Sequence, residues 1–491
     1  MSIACTDGLA SHIVDSRFFG ASYATDEARR VFCDLRRLQR WLDVEVALAE
    51  CQAELGMIPA AAAAELAACA RLPNLDLAEI RRDIARTCHS LLPLLDAWQR
   101  VASPAAGRFI HFGATTQDIE DTAQCLEIRD VIAIVRRDLR SIAAELIRIV
   151  EQHGSLVMIG RTHGQHALPT LFGLKAATWL DELLRNMSRL EACADQTLVS
   201  QLFGGVGTMD AFGPGGLELL RRFSHRLGLA EPLVGWHSSR DRLAELLATM
   251  AILAGGLARI ANEIYQLARN EIHELEEPFH AGKIGSSTMP HKRNPELCEQ
   301  VVVLARLIKA NAGLGFDGLI SEHERDYRAV RLEWVSVTDS SLFLCAATGM
   351  MKTILVDLRV RGDAMLQNVQ ESANLLSTEA LMFLIGEKIG KQAAHQLLYE
   401  VSMQAHDTNT KNSLLDLLLA DDRVMAHFSA DELLKAIDPA SHVGLATTLA
   451  TRVVAAGRRQ LAEGPAAPEV PAPCPLANAQ GKCDLQDRRL A

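Results

Sequence analysis

The chain has 491 residues, enough for two or three domains around a large shared core. A formal charge of −11 excludes a global basic field for nucleic acid or an anionic membrane surface, so an anionic ligand has to be held by local cations. Hydrophobic residues make up 49 % and aromatic residues only 5 %, with alanine and leucine prominent, which points to long packed helices and an all-α class.

The amino terminus, MSIACTDGLASHIVDSR, has no basic stretch followed by an apolar core, so no secretory signal is expected. In a first region, residues 1–110, Val31, Leu35, Leu38, Leu42 and Ala49 recur near helical spacing. They predict a scaffold helix over 25–55, with Gly56 at its C′ position. Further on, RTCHSLL carries His89.

A second region, 111–360, opens on HFGATTQDIEDT. Residues 115–118 read as an N-cap followed by an acidic first turn. Hydroxyls and amides at such a terminus also suit a carboxylate ligand. GRTHGQHALPT, at 160–170, reads as a polar irregular turn between two apolar helical runs, with His163 beside Gly164. GGVGTMDAFGPGG, at 204–216, is neither a P-loop nor a dinucleotide fingerprint and reads as a break between helices. Leu253, Leu257, Ile260, Ile264 and Leu267 then step by four and three, the seam of a long bundle helix. Bundles of this kind usually bury their residual apolar stripes by oligomerising.

Residues 285–295 read GSSTMPHKRNP. Pro290 and Pro295 stop a helix here, and Lys292 and Asn294 offer a cation and an amide to an anionic ligand. A third region, 361–462, is again helical and is broken at Gly390. A tail at 463–491, rich in proline and alanine, is expected to be disordered. The eleven cysteines are scattered, without zinc-ligand spacing, as reduced cytoplasmic thiols would be. No uninterrupted apolar run approaches the roughly 20 residues of a membrane span.

The 285–295 run resembles the GSSxMPxKxNP signature of the fumarase/aspartase superfamily, and the resemblance extends over about residues 17–460. It implies a three-region, all-helical homotetramer that removes a β-proton from a succinyl-type substrate and expels a leaving group. It also implies that the Thr115, His163 and Ser286 segments meet only across subunits. No metal or organic cofactor is implied.

Roles follow from the resemblance. Ser286, in a catalytic loop at 282–296, is the expected base, its alkoxide stabilised by Lys292 and loop amides. Lys292 and Asn294 would bind the carboxylate that takes up charge. The 160–170 run is similar to the RTHGQ segment of adenylosuccinate and argininosuccinate lyases, which makes His163 the expected acid. Glu299 would be the carboxylate that raises its pKa. Thr115, Thr116, Gln117 and Thr162 are expected to contact substrate, with Asp118 organising the first three. His89 corresponds to a second active-site histidine.

Two branches compete. WLDVEVALAECQAELGMIP, FGLKAATWLDEL and WHSSRDRLAEL resemble the 3-carboxy-cis,cis-muconate cycloisomerases, whereas RTHGQ and His89 resemble adenylosuccinate lyase. Val330, Arg331 and Trp334 stand where nucleotide-binding hydroxyls and a phosphate-binding arginine are expected. The implied function is therefore fumarate release from a small anionic succinyl compound that need not be a nucleotide, with Arg331 as a substrate contact. The alternatives are lactone formation and a non-catalytic, crystallin-like tetramer.

Overall fold

The computed structural model describes residues 12–280, 282–406 and 413–463. Six helices form the first region: α1 (Asp26–Phe32), α2 (Asp34–Glu54), α3 (Ala60–Cys69), α4 (Leu77–Thr87), α5 (Leu92–Val101) and α6 (Pro104–Gly107). The helix expected over 25–55 is thus two helices, because Cys33 is extended, with ψ 143°. The break has a packing cause. Ala28 and Val31 of α1 bury in the bundle core described below, whereas Trp41, Leu42 and Leu48 of α2 bury in a separate core with α3 and α5. Gly56 ends α2 as expected: its N–H donates to Ala53 and that of Met57 to Gln52, the paired bonds of a Schellman motif.

Long helices make the centre: α7 (Thr116–His153), α8 (Phe172–Thr197), α10 (Asp241–Leu267), α11 (Glu296–Asp317) and α12 (Tyr327–Val356); the shorter α9 (Gly216–Leu227) packs on α2. All five residues of the expected seam are buried in α10. By length and composition α10 and α12 could each cross a membrane, against expectation, yet 61 % and 67 % of their most apolar windows are buried inside the protein. They are core helices here. The longest of the central helices, α7, has 38 residues and a length of about 57 Å.

The 160–170 run is not an irregular turn but part of an antiparallel hairpin, β1 (Val157–Thr162) with β2 (Gln165–Leu171). His163 and Gly164 form its two-residue loop with φ of 52° and 73°, the left-handed pair that a type I′ turn requires. A second, two-residue pair joins β3 (Leu275–Glu276) to β4 (Arg359–Val360) beside this hairpin.

Beyond it, α13 (Gly362–Leu376) packs on the hairpin. α14 (Thr378–Ile389), α15 (Lys391–His406), α16 (Leu414–Leu419), α17 (Asp422–Met425) and α18 (Ala430–Ala436) share a third core. Gly390 separates α14 from α15 as expected. α19 (Ala446–Glu463) returns to the bundle, burying Ala450 and Val454 in its core. The expected tail lies outside the described residues, apart from Glu463.

Candidate active site

At the start of α7, Asp118 is fully buried and its carboxylate accepts four bonds. The donors are the amides of Thr115 (3.0 Å), Phe203 (3.0 Å) and Gly204 (2.9 Å) and Nε2 of buried His237 (2.8 Å). The glycine-rich 204–216 segment is thus more than a helix break, since its first amide is held on Asp118. Thr115 Oγ1 accepts from Arg325 Nη1 at 2.7 Å, and Arg325 Nη2 donates to the Gly205 carbonyl at 2.6 Å. Thr115 and Thr116 stay half-buried at this mouth. Gln117 does not join them. It is 1 % exposed, its NH2 donates to Asp121 and to the His237 carbonyl, and its buried Oε1 has no hydrogen-bond partner among the described residues.

One turn further along α7, Glu120 accepts from the Ser90 hydroxyl and, at 2.8 Å, from the Tyr327 hydroxyl. Burial pushes its carboxyl up to about 7, against the lowering pull of those two bonds. The folded chain therefore keeps this proton where the unfolded chain, with its ordinary value of 4.5, has lost it. The stability so contributed is full below the unfolded value and is lost as pH rises through the folded one. Glu120→Gln, neutral throughout, is expected to flatten the fall in Tm between about pH 5 and about pH 8 by a few degrees. Paired thermal melts check this, and parallel slopes would contradict it.

His89 lies beside this cluster, after the end of α4 rather than on a helix surface. Its Nδ1 accepts from the Leu92 amide at 3.0 Å, so a neutral ring carries its proton on Nε2. Arg331 is exposed, its guanidinium 4.9 Å from the Tyr327 ring centroid and 4.6 Å from that of Trp334.

The opposite end of the bundle carries the 282–295 loop. Glu277 roots it, accepting from the amides of Leu297 (3.1 Å) and Cys298 (2.9 Å) at the start of α11 and from Lys283 Nζ (2.7 Å). Arg293 donates to Glu276 at 2.6 Å, and Asn294 Nδ2 to the Gly285 carbonyl at 2.6 Å. A Cβ on residue 285 would stand 2.1 Å from the Lys292 carbonyl, so only glycine lets the loop close on itself. Ser286 Oγ accepts the amides of Met289 (3.0 Å) and Thr288 (3.4 Å). Donors aimed at this oxygen favour its deprotonated form. Lys292 is exposed on the same loop.

His163 is exposed at the hairpin tip, with Thr162 exposed beside it. The hairpin is anchored by Arg161, which donates to both oxygens of Glu274 at 3.0 and 2.8 Å, two residues before the Glu276 that holds Arg293. Glu299 lies in the first turn of α11 but is exposed, so within one chain the expected buried pairing with His163 is not made. Each chain therefore groups Ser286, Lys292, Asn294, Glu299 and His163 at one end of the bundle. Thr115, Thr116, His89 and Arg331 stand at the other.

Residues 21–309 match the lyase family and residues 374–453 match the adenylosuccinate lyase C-terminus. The chain belongs to the lyase family of the fumarase/aspartase superfamily and is an enzyme of that family. It is 42 % identical to the N-acetyl-S-(2-succino)cysteine lyase of Dickeya dadantii over 91 % of this chain and 98 % of that protein. It is 36 % identical to the adenylosuccinate lyase of Methanocaldococcus jannaschii over 91 % of this chain and 96 % of that one. Among solved structures, the 3-carboxy-cis,cis-muconate lactonizing enzyme of Pseudomonas putida superposes with a TM-score of 0.84 at 30 % identity, covering 90 % of this chain and 99 % of that one.

Proposed function

We propose that the enzyme eliminates a thiol from a succinyl thioether, releasing fumarate. Ser286 takes the proton from the carbon beside one carboxylate. Lys292, Asn294 and the amides of the loop stabilise the dianionic carbanion. The C–S bond then breaks, its electron pair leaving with sulfur, and the double bond of fumarate forms. His163, paired with Glu299 of another copy, protonates a leaving group too basic to depart as an anion.

The observation that carries this reading is Ser286 Oγ under two amides, on the loop that also presents Lys292. The likeness to a protein named for a succinylated cysteine supports a thioether over a nucleotide. So does the start of α12, where Val330 is buried and Trp334 lies under Arg331.

The active unit in this reading is a homotetramer. Because the two groups of site residues lie at opposite ends of the bundle in one chain, they complete a site only when copies pack antiparallel. Ile252, Val303, Leu307, Phe316 and Val335 leave exposed apolar surface on the bundle for such packing. Cys51, Cys69, Cys88, Cys125, Cys193, Cys298 and Cys345 are free thiols, which accords with a cytoplasmic enzyme.

The test is a panel followed by the ultraviolet absorbance of fumarate. Succinyl thioethers are expected to turn over at least about a hundredfold faster, as kcat/KM, than adenylosuccinate or argininosuccinate. Carboxymuconate is expected to yield no lactone. Preferred turnover of adenylosuccinate, or lactone formation, would contradict the assignment.

A further inference from the structure

Thr116 and Glu120 stand four residues apart at the start of α7, so their side chains share one face of the helix, with Cβ atoms roughly 6 Å apart. Thr116 is half-buried at the mouth, whereas Glu120 is only 3 % exposed. Ser90, beside His89, donates to one oxygen of Glu120, and Tyr327 donates to the other at 2.8 Å. Tyr327 itself follows two residues after the Arg325 that holds Thr115. One carboxyl thus ties together 88–90, the α7 terminus and the start of α12.

Its partners are two neutral hydroxyls rather than a cation. Burial pushes the Tyr327 hydroxyl up to about 12, so it stays a donor. Asp121, next on α7, disfavours a charge on Glu120, and solvent-exposed Arg331 of α12 favours one. Arg37 of α2 faces it too but is spent on both oxygens of Glu127, at 2.9 and 3.0 Å. The cleft that Ser90 borders adds one charge of each sign, Asp34 and Arg81, together with His89. Burial outweighs these, and Glu120 keeps its proton up to about 7. Once ionised, it would stand one helical turn from a carboxylate bound at Thr115 and Thr116, a like charge in a poorly solvated place.

We propose that Glu120 is a positioning residue that sets Thr116, Ser90 and Tyr327 around the carboxylate subsite and, by being neutral when a dianion binds, admits the incoming charge. The inference rests on Thr115 and Thr116 as carboxylate contacts in the function proposed above, and deepens it. Binding is thereby linked to protonation. The dianion binds tightly while Glu120 is protonated and more weakly as pH rises and the group ionises.

Fumarate is the probe, since it is a dianion from about pH 6 to about pH 9 and its binding does not depend on the leaving group. Its Kd is measured calorimetrically on the full-length enzyme. Glu120→Gln keeps one donor and one acceptor, as the protonated acid does, but cannot ionise. The ratio of the wild-type Kd to that of Glu120→Gln is expected to be near one at about pH 6 and to reach about ten at about pH 9. The ratio cancels the histidines that titrate in both proteins. Tyr327→Phe, which keeps the ring but withdraws a donor from the carboxylate, should move the onset of the weakening to higher pH. A ratio that stays constant over this range, or an onset in Tyr327→Phe no higher than in the wild type, would overturn the role of Glu120 and leave the carboxylate contacts standing. Fumarate that binds neither protein at any pH would overturn those contacts and the role of Glu120 with them.

Discussion

Replacing Ser286 by alanine is expected to lower kcat by roughly three to four orders of magnitude, the loss typical of removing a base that acts at the reacting atom. Binding should survive. In the proposed mechanism Lys292, Asn294 and the Thr115 end hold the carboxylates without the hydroxyl, so a substrate Kd measured calorimetrically on the variant should rise no more than a few-fold. The side chain is only half-buried and its two amide bonds are internal to the loop, so Tm should match the wild type. Lys292→Ala should instead raise Kd and lower kcat together, because the proposed mechanism sets its charge against the ground state and the carbanion alike. Near-wild-type turnover in Ser286→Ala would place the base elsewhere, with the fold unaffected.

Mixing two crippled variants is expected to restore activity that neither has alone. Thr116→Val removes a hydroxyl at one end of the bundle and Ser286→Ala the hydroxyl at the other, so no one chain brings the two together. If a site draws its threonine from one copy and its serine from another, random reassembly leaves both intact in roughly a quarter of sites. Thr116→Val alone should lose about 10- to 100-fold, the cost of one bond to a charged ligand. The mixture should therefore reach roughly a quarter of wild-type turnover after denaturation and refolding together. Mixed tetramers, verified by differently sized tags, that stay as slow as the parents would mean that each site lies within one chain.

Much of this was legible in the residues. The α10 seam and the Gly56 stop carry their physics locally, since helical spacing and a left-handed C′ residue need no tertiary partner. The Ser286 loop was legible because Gly285, Pro290 and Pro295 exclude a helix whatever surrounds them. What escaped depended on contacts far apart in sequence. The break at Cys33 arises because α1 and α2 bury in different cores. Gln117 looked available beside Thr116, but the first turn of α7 points it inward to Asp121. Ser90, Glu120 and Tyr327 come from three separated segments, so no spacing announces their cluster. The hairpin had a signal that was passed over: a short His-Gly step between strand-forming runs fits a two-residue turn.

The most direct test is to count both products of one reaction. With purified enzyme and N-acetyl-S-(2-succino)cysteine, fumarate is followed by its ultraviolet absorbance and free thiol by a colorimetric reagent in the same time course. The account predicts equal amounts of the two at every time point, with both signals lost in Ser286→Ala. Thiol without fumarate, or neither product from the folded enzyme, would contradict it.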